Sequence, residues 1–131
     1  MQRALRTAQI AGFSDPQVTP LLQEVDYGDY EGQTTKQIQE QRPGWQLYRD
    51  GCPDGETPAQ VYARAKSFLD LATATEGTVL AFGHGHMLRA IGVAWLDLDI
   101  MVAEQFLLDV ATLNKLQEDA RGREIALWNS P

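Results

Sequence analysis

The junction Thr78-Val-Leu-Ala-Phe82 followed by Gly83-His84-Gly85-His86 constrains this chain more than any other stretch. Five residues without a charge, bounded by Gly77 and Gly83, predict a strand buried on both faces, as in a largely parallel sheet. The apolar spacing of residues 87–96 predicts a helix directly after it. Strand, glycine-rich turn and helix in that order define an α/β unit, and open α/β sheets hold their ligands where such a strand ends and the helix begins. Both histidines of the chain fall there. Helix N-terminal amides, permissive glycines and an imidazole together suit an oxyanion or a phosphate. His-x-His also suits zinc, but no acidic residue lies close in sequence to complete a ligand set, so no metal is expected.

The remaining pattern fits a single α/β domain over residues 1–131. Residues 2–11 read as a helix stopped by Gly12, and residues 19–32 as an ordered loop rich in glycine and aromatics. Thr34 with Gln37 and Thr57 with Gln60 are capping boxes, predicting a short helix from Thr35 to Gln41 and a long one from Pro58 to Thr73. Val61, Ala65, Phe68, Leu69 and Ala72 recur at helical spacing and are expected to face a sheet. A helical turn is expected near Trp45 to Tyr48, and later strands at residues 106–108, 111–117 and 124–128, the last two joined as a hairpin.

The net charge of −7, with 11 basic residues scattered singly, argues against nucleic acid as a partner. It leaves room for a small anionic substrate, because a pocket needs only a few converging donors. Cys52 is the one cysteine, so no internal disulfide can form, and a reducing compartment such as the cytoplasm is expected. No apolar run approaches the ~20 residues of a membrane span.

Among the loop carboxylates, Glu24 is a candidate general acid, with Asp26, Asp29 and Glu31 as competitors on residue type alone. Arg3 can offer a bidentate fork to phosphate. In chain order these features resemble the histidine phosphatase superfamily, the phosphoglycerate-mutase-like proteins. Gln2-Arg3-Ala4-Leu5-Arg6-Thr7-Ala8 resembles the end of that family's Ser-Pro-x-x-Arg-Ala-x-x-Thr-Ala motif. Glu24-Val-Asp-Tyr-Gly28 with Tyr30-Glu-Gly32 resembles the loop that carries its proton donor. Gly55-Glu56-Thr57 with Arg64 is similar to a structural Gly-Glu-Ser/Thr segment and its arginine. Phe82-Gly-His84-Gly85 resembles the second-histidine motif, and Ala126-Leu-Trp-Asn129 its C-terminal strand. Tyr27 to Gly32, Arg49-Asp-Gly-Cys52 and His84-Gly-His86 with Leu88-Arg89 are most similar to the group holding fungal sedoheptulose bisphosphatases and bacterial acid phosphatases.

The resemblance implies a three-layer α/β sandwich with a mostly parallel sheet. It implies hydrolysis of a phosphomonoester, a sugar phosphate or bisphosphate, through a phosphohistidine, with no cofactor. Glu24 and His84 would be catalytic. Arg3 and the Gly85 N–H would bind phosphate, and Tyr27, Tyr30 and Arg49 would contact substrate. The family's nucleophile belongs to an Arg-His-Gly motif that precedes the position matched by Arg3. The expectation is therefore a C-terminal portion lacking a strand-helix-strand segment of at least ~30 residues, inactive alone, with unpaired sheet edges open to self-association. A mutase would share the same residues, and a non-catalytic phosphate-ester-binding fragment is the alternative of a different class.

Overall fold

The structure, a computed structural model, describes residues 2–131. Five α-helices precede a C-terminal hairpin: α1 (Gln2–Ile10), α2 (Thr35–Gln41), α3 (Leu47–Asp50), α4 (Pro58–Thr73), α5 (Gly85–Trp95), β1 (Leu113–Asp119) and β2 (Gly122–Ser130). Local chemistry sets most of the boundaries. Thr34 and Thr57 each accept the N–H three residues ahead while Gln37 and Gln60 reach back to the cap backbone, so both capping boxes form. Gly12, at φ 94°, closes α1: the Phe13 N–H reaches Ala8 O and the Gly12 N–H reaches Gln9 O, the bond pair of a left-handed C-terminal cap.

α4 and α5 form the central helix pair, with α3 and the 3-10 segment Ile100–Gln105 packed around them. Val61, Ala65, Phe68 and Leu69 of α4 and Met87, Ala90, Ile91, Val93 and Ala94 of α5 share one buried cluster. The apolar stripe of α4 thus packs on α5, while Phe68 and Ala72 also line a cleft beside residues 79–82, and no sheet faces the stripe among the described residues. Gly92 lets the hairpin approach closely: a Cβ there would lie 2.7 Å from the Trp128 ring. Trp95 of α5 donates to Glu124 O at 3.0 Å, and Phe106, just past the 3-10 segment, meets Trp128 edge-on, so aromatic side chains hold the hairpin to the helices.

β1 and β2 pair antiparallel, with Leu116 opposite Ile125 and a two-residue turn between Asp119 and Gly122. They are the only sheet among the described residues. Two expected strands are absent. Residues 106–108 are irregular, and residues 78–82 form no ladder. Val79 and Leu80 are 42% and 49% exposed, so the expected strand buried on both faces is not seen among the described residues. The run has strand-like composition, but a ladder needs a neighbouring chain segment to accept and donate its backbone bonds, and no described residue supplies one. The expected parallel sheet is therefore not seen within these residues. The helix after it begins at Gly85, two residues before the apolar pattern, because the amide at its first position needs no intrahelical acceptor.

Candidate active site

The loop bearing Glu24 is held in place from below by one arginine. Arg64, projecting from α4, donates to both carboxylate oxygens of Glu56 at 2.8 and 2.6 Å and to the carbonyls of Leu21 and Gln23 at 3.1 and 2.8 Å. Glu56 in turn accepts the Asp26 N–H at 2.9 Å, and its own N–H donates to Asp26 O. Residues 21–26 are thereby stitched to the start of α4. Beyond them Gly28, at φ 51°, passes so close to the turn at residues 53–55 that a Cβ would lie 2.1 Å from Pro53 O.

That clamped loop directs Glu24 at the N-terminus of α5. Its Oε1 accepts the Met87 N–H at 3.0 Å and the Val25 N–H at 3.0 Å, and Oε2 lies 3.4 Å from the His86 N. His84 occupies the N-cap position of α5 without capping it through its own side chain. A carboxylate 60 residues back in the chain, that of Glu24, fills that role, at the positive end of the helix. The competing loop acids are engaged locally: Asp26 accepts the Gly28 N–H and Glu31 the Tyr27 N–H, while Asp29 is exposed.

Arg3, Thr7, Glu24, His84 and Gly85 line one cleft of about 380 Å³, closed on its far side by residues 108–112 and Asn114. Burial, partly opposed by the Glu24 carboxylate, lowers the His84 imidazole below its ordinary 6.5, favouring the neutral ring. Gly85, the first residue of α5, lines the same space. The far wall carries no motif in the sequence; it is pinned by Asn129, which donates to Asp109 Oδ2 at 3.0 Å and accepts the Asp109 N–H at 2.7 Å. A larger apolar cleft of about 540 Å³ adjoins it, between α1, α4 and residues 79–82, of which Val79 and Leu80 are exposed.

The other candidates lie elsewhere. The Tyr27 hydroxyl is 2.5 Å from His86 Nδ1, behind Glu24 and outside the cleft lining. Tyr30 packs edge-on against the buried Trp45. Arg49 is held by Asp50 at 2.7 Å and by Gly44 O, and it does not line the cleft. Among the described residues no three His, Cys, Asp or Glu side chains converge as a metal cluster. No helix among them is long and apolar enough to cross a membrane.

A helix N-terminus, an arginine, an imidazole and a carboxylate around one cleft are the parts of a phosphate-handling site. The family model described as histidine phosphatase superfamily (branch 1) matches residues 1–131, and the chain belongs to that superfamily. It is 42% identical over 114 residues to an acid phosphatase of Mycobacterium tuberculosis, covering 86% of this chain and 56% of that protein. It is 30% identical over 115 residues to sedoheptulose 1,7-bisphosphatase of Saccharomyces cerevisiae, covering 75% of this chain and 42% of that protein. The solved structure of an open-reading-frame product from Mycobacterium tuberculosis superposes with a TM-score of 0.95 at 38% identity, over 98% of this chain and 68% of that one. This chain thus has the α/β fold of phosphoglycerate-mutase-like proteins, and it spans about half the length of the curated relatives it matches.

Proposed function

We propose that the cleft is the phosphate-binding and acid half of a phosphomonoesterase site acting on a small phosphorylated metabolite, a sugar phosphate or bisphosphate. The observation that carries this reading is the convergence of Arg3, Glu24, His84 and Gly85 on one cleft. Arg3, His84 and the Gly85 N–H hold the equatorial oxygens and offset their charge as phosphorus is attacked. A histidine nitrogen forms a bond to phosphorus as the ester P–O bond breaks, and Glu24 gives its proton to the leaving alkoxide. Water then attacks the phosphohistidine, Glu24 takes the water proton, and inorganic phosphate leaves. The nucleophile on this reading is a histidine outside this chain, since His84 holds the phosphate and His86 does not line the cleft. No metal or organic cofactor takes part.

On the same reading, residues 78–82 join a mostly parallel sheet whose other strands lie outside these residues, within a three-layer sandwich. Alone, this edge invites pairing between copies. The exposed Val79 and Leu80 and the partial span of the relatives support both points. The expected setting is the cytoplasm, with neither nucleic acid nor membrane as a partner.

Phosphate release from sedoheptulose and fructose bisphosphates, with inorganic phosphate binding measured in parallel, tests the proposal. The chain should bind phosphate without turnover, and Arg3→Ala should weaken that binding. Release abolished by His84→Ala would instead make His84 the nucleophile. Isomerised sugar phosphate in place of free phosphate would identify a mutase. A non-catalytic phosphate-ester-binding role is favoured by one observation, that the chain's two histidines leave no third as nucleophile. It would stand if adding the N-terminal portion of a relative restored no activity.

A further inference from the structure

The pairing of β1 with β2 breaks step beside the cleft. Leu113 lies opposite Ser130 and Lys115 opposite Leu127, so Asn114 alone faces both Trp128 and Asn129. Two residues against one make a bulge, which bends the strand and re-aims the side chains beside it. Asn129 sits in it at φ 53°, a left-handed backbone that asparagine tolerates better than most residues. Its N–H donates to Asn114 Oδ1 at 2.7 Å, while its own side chain holds Asp109.

That bond fixes the orientation of the Asn114 amide. A backbone N–H can only donate, so the atom meeting it is the amide oxygen, and the NH2 is the arm left over. Nδ2 has no acceptor among the described residues, and no unpartnered side-chain nitrogen or oxygen in them is sealed from solvent. It is an open donor on a residue that lines the cleft with Arg3, His84 and Gly85. Other polar side chains of the lining are already engaged: Thr7 donates to Arg3 O, Thr112 donates to Asp109 O, and Glu24 accepts from α5.

With Arg3, His84 and Gly85 taking the phosphate, the Asn114 donor is left for another part of the ligand. About 380 Å³ is the size of a pocket that holds a whole small molecule and not a phosphate alone. Asp109 lines the same cleft, and its carboxylate repels a second anion but can accept from a hydroxyl. We propose that Asn114 is a substrate-binding residue: its amide N–H donates to a hydroxyl of the group that carries the phosphate, so this wall selects a neutral, hydroxylated leaving group. The inference rests on the reading of the cleft as a phosphate site and narrows its substrate class, since a second phosphate would have to lie outside the cleft.

Three ligands added to the intact chain test it without needing turnover: inorganic phosphate, methyl phosphate, whose one carbon bears no hydroxyl, and fructose 6-phosphate. Fructose 6-phosphate should bind the unaltered chain more tightly than methyl phosphate. Asn114→Ala should weaken fructose 6-phosphate about fivefold, the net worth of one ordinary hydrogen bond, and leave the other two unchanged. Arg3→Ala should weaken all three. Because Asn114→Ala also removes the acceptor of the Asn129 N–H, the unaltered chain supplies a second readout. The side-chain amide resonance of Asn114, assigned by its loss in Asn114→Asp, should move on saturation with fructose 6-phosphate and hold its place with the other two ligands. A resonance that methyl phosphate moves as far, or that no ligand moves, overturns the proposal. Equal weakening of all three ligands by Asn114→Ala marks a structural role or a phosphate contact and also overturns it. If neither inorganic phosphate nor methyl phosphate binds, the phosphate reading itself fails; if both bind and Asn114 treats the three alike, only this inference does.

Discussion

The Glu24 carboxylate accepts the Met87 N–H at 3.0 Å across a sequence separation of 63 residues, so the candidate acid also caps the helix that carries His84 and Gly85. The proposed acid and the stability of that helix are coupled at this one group. Glu24→Ala should therefore destabilise the fold by about 1 kcal/mol, the usual cost of losing an N-cap acceptor. Glu24→Gln, which keeps an accepting oxygen, should cost less. Urea unfolding of the two variants against the parent checks this, and equal midpoints for all three would contradict it.

Arg64 satisfies a carboxylate and two carbonyls at once, and only 16% of its side chain is exposed. Removing it strands the Glu56 carboxylate and frees the Glu24 loop. Arg64→Ala should cost about 2–3 kcal/mol, toward the lower end for a broken buried pair because some solvent still reaches it. Arg64→Lys should recover little, since an ammonium cannot reproduce the two-pronged contact. Denaturant midpoints provide the measurement.

Two loop glycines with positive φ should respond differently to the same substitution. Gly28 has no room for a Cβ beside Pro53 O, whereas nothing lies within 4 Å of a Cβ at Gly32. Gly32→Ala should cost about 1 kcal/mol from backbone strain alone. Gly28→Ala should cost clearly more, because the turn at residues 53–55 must move as well. Parallel thermal melts of the two variants would expose the difference.

Stability should fall as pH drops below the ordinary histidine value of 6.5. Burial lowers both His86 and His84, so the folded chain stays neutral where the unfolded chain already binds protons. Their contribution is fully present above 6.5 and is lost as pH falls toward their folded values. Asp50, held down at about 2 chiefly by its hydrogen bond to Arg49, loses its contribution in a separate window below 3.8. His86→Gln should flatten the upper window and leave the lower one unchanged, which urea midpoints between pH 7 and 3 would reveal.

Local signals in the sequence were sufficient where the physics is local. The capping boxes at Thr34 and Thr57, the Gly12 stop and the turn between β1 and β2 are decided by bonds among residues at most five apart, and their types alone specify them. The junction at His84-Gly85-His86 was legible for the same reason, because a helix start exposes amides whatever surrounds it. Residue type could not choose among Glu24, Asp26, Asp29 and Glu31; the resemblance singled out Glu24. The structure places the four differently: Asp26 and Glu31 satisfy their own turn, Asp29 faces solvent, and Glu24, on the loop held by Arg64 and Glu56, meets the start of α5.

What tertiary structure alone decided is everything that depends on a distant partner. The strand-like residues 78–82 remain unpaired because sheet bonds require a second segment alongside. Tyr27 meets His86 instead of lining the cleft because a loop and a helix 59 residues apart are brought face to face. Composition determines what a segment can do by itself, and only packing determines which of its bonding groups find a partner.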